Sequence, residues 1–140
     1  MVKFYLDNLN IVPDTSIIID GYLSSQIEEG RLRGSKIYVP NVVVAEIERQ
    51  ANLHKSTGFS GLDELKRLKE YARTGLITID IVGPRPTLEQ VKLGRGGELD
   101  EIIVGCAKDN SAVLYTSDRI QADISEIKGI KVNYISKPIK

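Results

Sequence analysis

The sequence predicts an α/β fold built on a mainly parallel sheet. Short β-branched runs alternate with amphipathic helical segments along the whole chain, and this alternation is typical of βαβ units. The 140 residues are 41% hydrophobic and 27% charged, which suits one globular domain spanning residues 1–140. No apolar run approaches the length of about 20 residues that a membrane span needs.

The first half of the chain contains two predicted strands, each followed by a helical segment. Asn10–Pro13 is expected to be the end of a first strand, and the apolar run Ile17–Ile19 after it fits either a buried strand or a buried helical turn. The second strand is Lys36–Val39. Asn41 is expected to cap the helix that follows and ends near Asn52.

The second half of the chain continues the alternation. Ser60 is expected to cap an amphipathic helix, and Thr87–Gln90 has the pattern of a capping box at the start of a short one. A strongly periodic apolar helix follows Gly97. The remaining strands are predicted at residues 76–82, 112–115 and 131–135, with a helix at 119–127 between the last two.

Four acids are placed where a parallel sheet would gather them. Asp14 and Asp118 each follow a predicted strand, so both are expected at the carboxyl edge of the sheet. Glu46 shares a helix face with two valines, and Asp100 lies in the first turn of its helix. Carboxylates that lie close together raise one another's pKa, and a divalent cation offsets this repulsion. Ligation by oxygen alone suits Mg²⁺ or Mn²⁺.

Each of these acids also has a purely structural interpretation. Asp14 is able to form a turn after its strand, and Asp118 is able to cap its helix. Asp100 suits the positive end of a helix dipole, and Glu46 is within reach of Arg49 on the same helix. The combination of the four acids, rather than any one of them, favours a metal-dependent site.

Four sequence motifs together resemble the PIN (PilT N-terminus) domain, including its VapC-like members. In chain order they are Val12–Gly21, Pro40–Glu46, Gly97–Ile103 and Tyr115–Arg119. Three further segments, at residues 50–52, 58–62 and 85–89, are similar to the N-terminal PIN domain of archaeal proteins that continue into a P-loop ATPase and a KH domain. The resemblance therefore also allows the chain to be the N-terminal part of a longer protein.

The resemblance implies a three-layer α/β/α sandwich with a Mg²⁺- or Mn²⁺-dependent ribonuclease activity. By motif, the catalytic metal ligands would be Asp14, Glu46, Asp100 and Asp118. Ser16 and Thr116 would orient these carboxylates or contact phosphate. Glu98 and Asp123 are further candidates for supporting roles.

RNA is the partner that the resemblance implies. Candidate contacts to the RNA backbone are basic residues in predicted loops and helix starts near the acids, namely Arg85, Lys92, Arg95 and Arg119. A net charge of zero argues against a protein that coats nucleic acid nonspecifically. The family also implies a homodimer or larger oligomer, with C-terminal ATPase and KH domains in a longer protein. We expect a cytoplasmic location and no membrane partner.

The leading hypothesis is thus an endoribonuclease domain that hydrolyses RNA phosphodiester bonds. The alternative is a noncatalytic RNA- or partner-binding PIN module of a larger ATPase. A phosphatase of the haloacid-dehalogenase type is disfavoured, because that chemistry needs a second acid where Ser16 stands.

Overall fold

Helices and strands alternate along the part of the chain that the computed structural model describes, residues 6–93 and 97–136 without the side chains of 92, 93, 97 and 98. The strands in these residues are β1 (Asn10–Pro13), β2 (Lys36–Pro40), β3 (Thr78–Val82), β4 (Val113–Thr116) and β5 (Val132–Tyr134). The helices are α1 (Thr15–Ile19), α2 (Tyr22–Glu28), α3 (Asn41–Asn52), α4 (Ser56–Arg73), α5 (Leu88–Leu93), α6 (Gly97–Asp109) and α7 (Arg119–Ile127).

The strands form one parallel sheet in the order β3-β2-β1-β4-β5. β1 pairs with β2 through Ile11 and Ile37, and with β4 through Val12 and Leu114. Because the strand order runs outward from β1 in both directions, right-handed crossovers place α1–α4 on one face and α5–α7 on the other. The predicted three-layer α/β/α sandwich is confirmed. The order reverses between β1 and β4, where sheets of this kind open a crevice.

The central strands supply the most deeply buried part of the core. Ile11, Val12, Ile37, Val39 and Leu114 are completely buried. Strands covered by helices on both faces need apolar side chains in both directions, which explains these continuous apolar runs. Among the described helices, none combines the length and the apolar character needed to cross a lipid bilayer.

Two predicted helix starts are wrong, and the ambiguous run is helical. Ile17–Ile19 belongs to α1, which Asp14 caps. Asn41 is the first residue of α3 rather than its cap, and its Nδ2 donates to the backbone oxygen of Gly83 instead. α4 begins before Ser60, at Ser56, since a tight turn after α3 brings the chain back onto that helix.

Helix α2 was not predicted from the sequence, because the residue that caps its N-terminus lies far along the chain. Its N-cap residue, Gly21, has a φ of 69° and no side chain with which to cap the helix. Glu64 of α4 replaces the cap: its Oε2 accepts from the backbone N–H of Ser24 at 3.0 Å. Glu64 is completely buried, and Arg67 pairs with its other oxygen at 3.2 Å. A carboxylate at a helix N-terminus is favoured by the helix dipole.

Candidate metal centre

An open cleft of about 420 Å³ lies where β1 and β4 end, at the point where the strand order reverses. All four predicted acids line it, and they come from four separate segments of the chain: Asp14, Glu46, Asp100 and Asp118. Local sequence patterns place each acid at the end of a strand or on a helix, and the parallel sheet brings them to one edge.

Asp14 is held on both of its carboxylate oxygens. Its Oδ1 accepts from the backbone N–H of Thr15 at 2.6 Å, which caps α1. Its Oδ2 accepts from the hydroxyl of Thr116 at 2.9 Å. Thr116 is completely buried, and its oxygen also accepts from the backbone N–H of Asp118 at 3.0 Å. A single threonine therefore links the ends of β1 and β4 and fixes the direction of the Asp14 carboxylate.

Asp118 is exposed and caps α7. Its Oδ1 accepts from the backbone N–H groups of Ile120 and Gln121, at 2.9 and 3.2 Å. Ser117, which precedes it, shares a 2.8 Å hydrogen bond with the hydroxyl of Ser16 on α1. Both serines line the cleft. The sequence predicted a role for Ser16 and not for Ser117, although Ser117 lies within the motif that ends β4.

Glu46 is oriented by polar side chains of α3 and α4. Its Oε1 accepts from Nε2 of Gln50 at 2.9 Å, and Nη1 of Arg49 lies 3.9 Å from the same oxygen. The hydroxyl of Thr57 on α4 donates to Oε1 of Gln50, which points the amide N–H of Gln50 toward Glu46. Gln50 also lines the cleft. Sequence analysis missed both Gln50 and Thr57, because their pairing depends on how α3 packs against α4.

Asp100 is half-buried and its charge is disfavoured. Burial, together with the nearby charges of Asp14 and Asp118, raises the pKa of the Asp100 carboxyl to about 6. Asp14 and Asp118 are therefore each close enough to repel the Asp100 carboxylate. The cleft places negative charge where it costs stability, which is typical of a site that binds a cation.

We expect the Asp100→Asn variant to be more stable than the parent protein at pH 7 when metal is chelated. A raised folded-state pKa means that the stability linked to protonated Asp100 is present below pH 3.8 and is lost as the pH rises through about 6. Asparagine avoids that loss. After allowance for water at this half-buried site, the gain is about 1 kcal/mol.

Urea unfolding in EDTA at pH 7 and pH 4 measures this difference. The gain should shrink at pH 4, where Asp100 is largely protonated in the folded protein. Asp63→Asn, which changes an exposed acid on α4, serves as the control and should leave stability unchanged within about 0.5 kcal/mol. An Asp100→Asn variant less stable than the parent at pH 7 would contradict the assigned cost of burying this charge beside Asp14 and Asp118.

The structure places the remaining predicted site residues away from the cleft lining or outside the described residues. Asp123 and Arg119 are exposed and lie 3.9 Å apart as an ion pair on α7, and neither lines the cleft. Arg85 lines a separate cavity. Arg95 and the side chains of Lys92 and Glu98 lie outside the described residues.

The fold and the motif order agree with a known family. A profile of the PIN domain matches residues 11–127, most of the chain. The chain belongs to the PIN-domain family. A solved domain of a functionally unknown protein from Methanocaldococcus jannaschii is similar to this PIN domain, with a TM-score of 0.87, 35% identity and 94% of each chain covered. PIN domains are typically nucleases, and those nucleases usually use divalent metals.

Three curated relatives contain a similar PIN domain within longer chains. An uncharacterized KH and PIN-domain containing protein of Methanocaldococcus jannaschii is 38% identical over 87% of this chain and 19% of its own length. An uncharacterized PIN and TRAM-domain containing protein of Thermus thermophilus is 31% identical over 86% of this chain and 33% of its own. The Holliday junction branch migration ATPase PINA of Sulfolobus acidocaldarius is 28% identical over 88% of this chain and 22% of its own. The chain thus spans a fifth to a third of their lengths.

The donor atoms in the cleft of this PIN domain suit a hard cation. The described residues that line it offer four carboxylates, the hydroxyls of Thr15, Ser16 and Ser117, and no cysteine or histidine. Such an oxygen-only set fits Mg²⁺ or Mn²⁺ better than Zn²⁺. The acids line the cleft, but their carboxylates are not close enough together to ligate one ion as they stand. Among the described residues, no three Asp, Glu, His or Cys side chains form a group ready to hold a metal.

Proposed function

We propose that this PIN domain is a metal-dependent endoribonuclease that hydrolyses RNA phosphodiester bonds. The observation that supports it most is the convergence of Asp14, Glu46, Asp100 and Asp118 on one cleft. Burial and the charges of Asp14 and Asp118 disfavour the ionised form of Asp100 there. In this proposal the four carboxylates hold Mg²⁺ or Mn²⁺. The bound ion would supply an activated water and stabilise charge on the phosphate oxygens.

Neighbouring side chains position the carboxylates and offer hydroxyl groups in the cleft. Thr116 holds the Asp14 carboxylate toward the cleft, and the Thr57–Gln50 pair directs an amide N–H to Glu46. The Ser16–Ser117 pair offers two hydroxyls within the same cleft, where a phosphate oxygen is able to accept a hydrogen bond. The names of two relatives include a KH domain and a TRAM domain, and both are RNA-binding modules. This supports RNA as the substrate.

A cleavage assay tests the proposal. The protein is incubated with end-labelled RNA in Mn²⁺, in Mg²⁺ and in excess EDTA, and Mn²⁺ binding is followed separately by electron paramagnetic resonance. We expect cleavage only with the added ions, and a bound-Mn²⁺ signal in the absence of RNA. Cleavage that persists in EDTA would rule out a metal-dependent reaction.

A second candidate function is a noncatalytic RNA- or partner-binding module of a larger ATPase. It is favoured by the similarity to a Holliday junction branch migration ATPase over 88% of this chain. RNA binding without any cleavage in Mn²⁺ would favour this module over the nuclease. In either case we propose that the domain works within a longer protein, as the lengths of the relatives suggest. We further propose that this protein is oligomeric and cytoplasmic.

A further inference from the structure

A second cavity, of about 650 Å³, lies beside the acidic cleft. Helix α3 borders both: Glu46 and Gln50 line the cleft, while Arg49 and Asn52 line the second cavity. Arg49 also lies at the boundary, since its Nη1 is 3.9 Å from the Glu46 carboxylate. A volume of this size is typical of sites that hold small organic groups.

The charge of this cavity is opposite to that of the cleft. Arg49 and Arg85 line it together with one acid, Glu48. Among the described residues Arg85 forms no ion pair, so its guanidinium is available to an incoming anion. A planar guanidinium binds phosphate through two parallel hydrogen bonds, and it also stacks on aromatic rings.

The loop that contains Arg85 is anchored at both ends. At one end, Nδ2 of Asn41 donates to the backbone oxygen of Gly83 at 2.7 Å. At the other, Thr87 and Gln90 form a reciprocal capping box at the start of α5, with hydrogen bonds of 2.9 and 3.1 Å. The loop is therefore fixed to α3 and α5 before any ligand arrives, which lowers the entropy cost of binding.

The rest of the cavity is apolar and open to solvent. Leu53 and Leu88 are 53% and 69% exposed, and Pro86 lies between Arg85 and the start of α5. Large apolar side chains exposed beside arginines suit a flat, uncharged ring attached to a phosphate. A nucleobase with its phosphate has this combination, since bases pack against apolar as well as aromatic side chains.

We propose that this cavity binds one nucleotide of a single-stranded RNA, with its base on Leu53, Pro86 and Leu88 and its phosphate on Arg85. The inference rests on the proposed function, because the next phosphodiester of the same strand would lie in the acidic cleft on the other side of Glu46. An apolar protein segment would leave Arg85 without a charged partner among the described residues, so charge complementarity favours the nucleotide.

Fluorescence anisotropy with a labelled oligouridine of about 12 nucleotides, in excess EDTA, tests this binding without turnover. We expect Arg85→Ala to weaken binding by about fivefold or more and to lower the salt dependence by about one ion. Leu88→Ser should weaken it by about threefold without changing the salt dependence. Arg31 is exposed, pairs with Glu29 at 3.9 Å and lines neither cavity. The Arg31→Ala variant is therefore the control for loss of a surface charge, and its binding should stay within about twofold of the parent protein.

The possible results test the nucleotide site and the nuclease activity independently. Equal binding by Arg85→Ala and the parent protein overturns the nucleotide site, whether or not RNA is cleaved once Mn²⁺ is added. Equal losses in Arg85→Ala and Arg31→Ala also overturn it, because they indicate attraction by overall charge alone. A loss specific to Arg85 and Leu88, with no cleavage in Mn²⁺, supports the nucleotide site and contradicts the nuclease.

Discussion

Replacing Asp14 by asparagine is expected to reduce metal-dependent RNA cleavage by more than about 100-fold while leaving the fold in place. The variant keeps an oxygen that is able to accept the N–H of Thr15, so α1 stays capped. Its new amide N–H faces Thr116, whose hydroxyl is able to turn toward Oε1 of Gln121, 3.3 Å away. The structural hydrogen bonds are thus replaceable, whereas the charge that would bind the cation is not.

Three measurements on the same preparation separate catalysis from folding. Cleavage rates in Mn²⁺ report activity, electron paramagnetic resonance reports Mn²⁺ binding, and urea unfolding reports stability. Asp63→Asn removes an equal charge from the exposed surface of α4 and should leave all three unchanged. Full cleavage by Asp14→Asn would remove Asp14 from the proposed metal ligands.

The sheet and the positions of the acids were predictable because they depend on local pattern. The runs of β1 and β4 are largely apolar. Asp14 comes directly after β1, and Asp118 comes two residues after the end of β4. Parallel pairing then places both acids at one edge without further information. The structural and functional interpretations of these two residues also proved compatible, since each caps a helix and lines the cleft.

The parts that were not predictable depend on partners distant in the sequence. Helix α2 is capped by Glu64, which lies 40 positions after the Ser24 N–H that it accepts. Gln50 reaches Glu46 one turn away, but its orientation is set by Thr57 on the next helix. The side-chain partner of Ser117 is Ser16, 101 positions earlier. No local pattern contains these pairings, because packing of separate elements creates them.

The close approach of α3 and α4 makes the hydrogen bond between Thr57 and Gln50 possible. Gly58 lies against the backbone of α3: a methyl group built on it would overlap the nitrogen of Ala51 and lie 2.5 Å from its Cα. Backbone atoms cannot turn aside as a flexible side chain does. Only glycine therefore allows the first turn of α4 to approach α3 closely enough for Thr57 to bond with Gln50.

We expect Gly58→Ala to destabilise the protein by more than about 3 kcal/mol, since the two helices must separate to admit the methyl group. Gly105→Ala in α6 is the matched control: its methyl group meets nothing within 4 Å, and alanine favours a helix over glycine by about 0.5–1 kcal/mol. Urea unfolding of both variants measures the contrast. If Gly58→Ala proved as stable as the parent, the contact between α3 and α4 would not be tight, and the orientation of Glu46 by Thr57 and Gln50 would lose its structural basis.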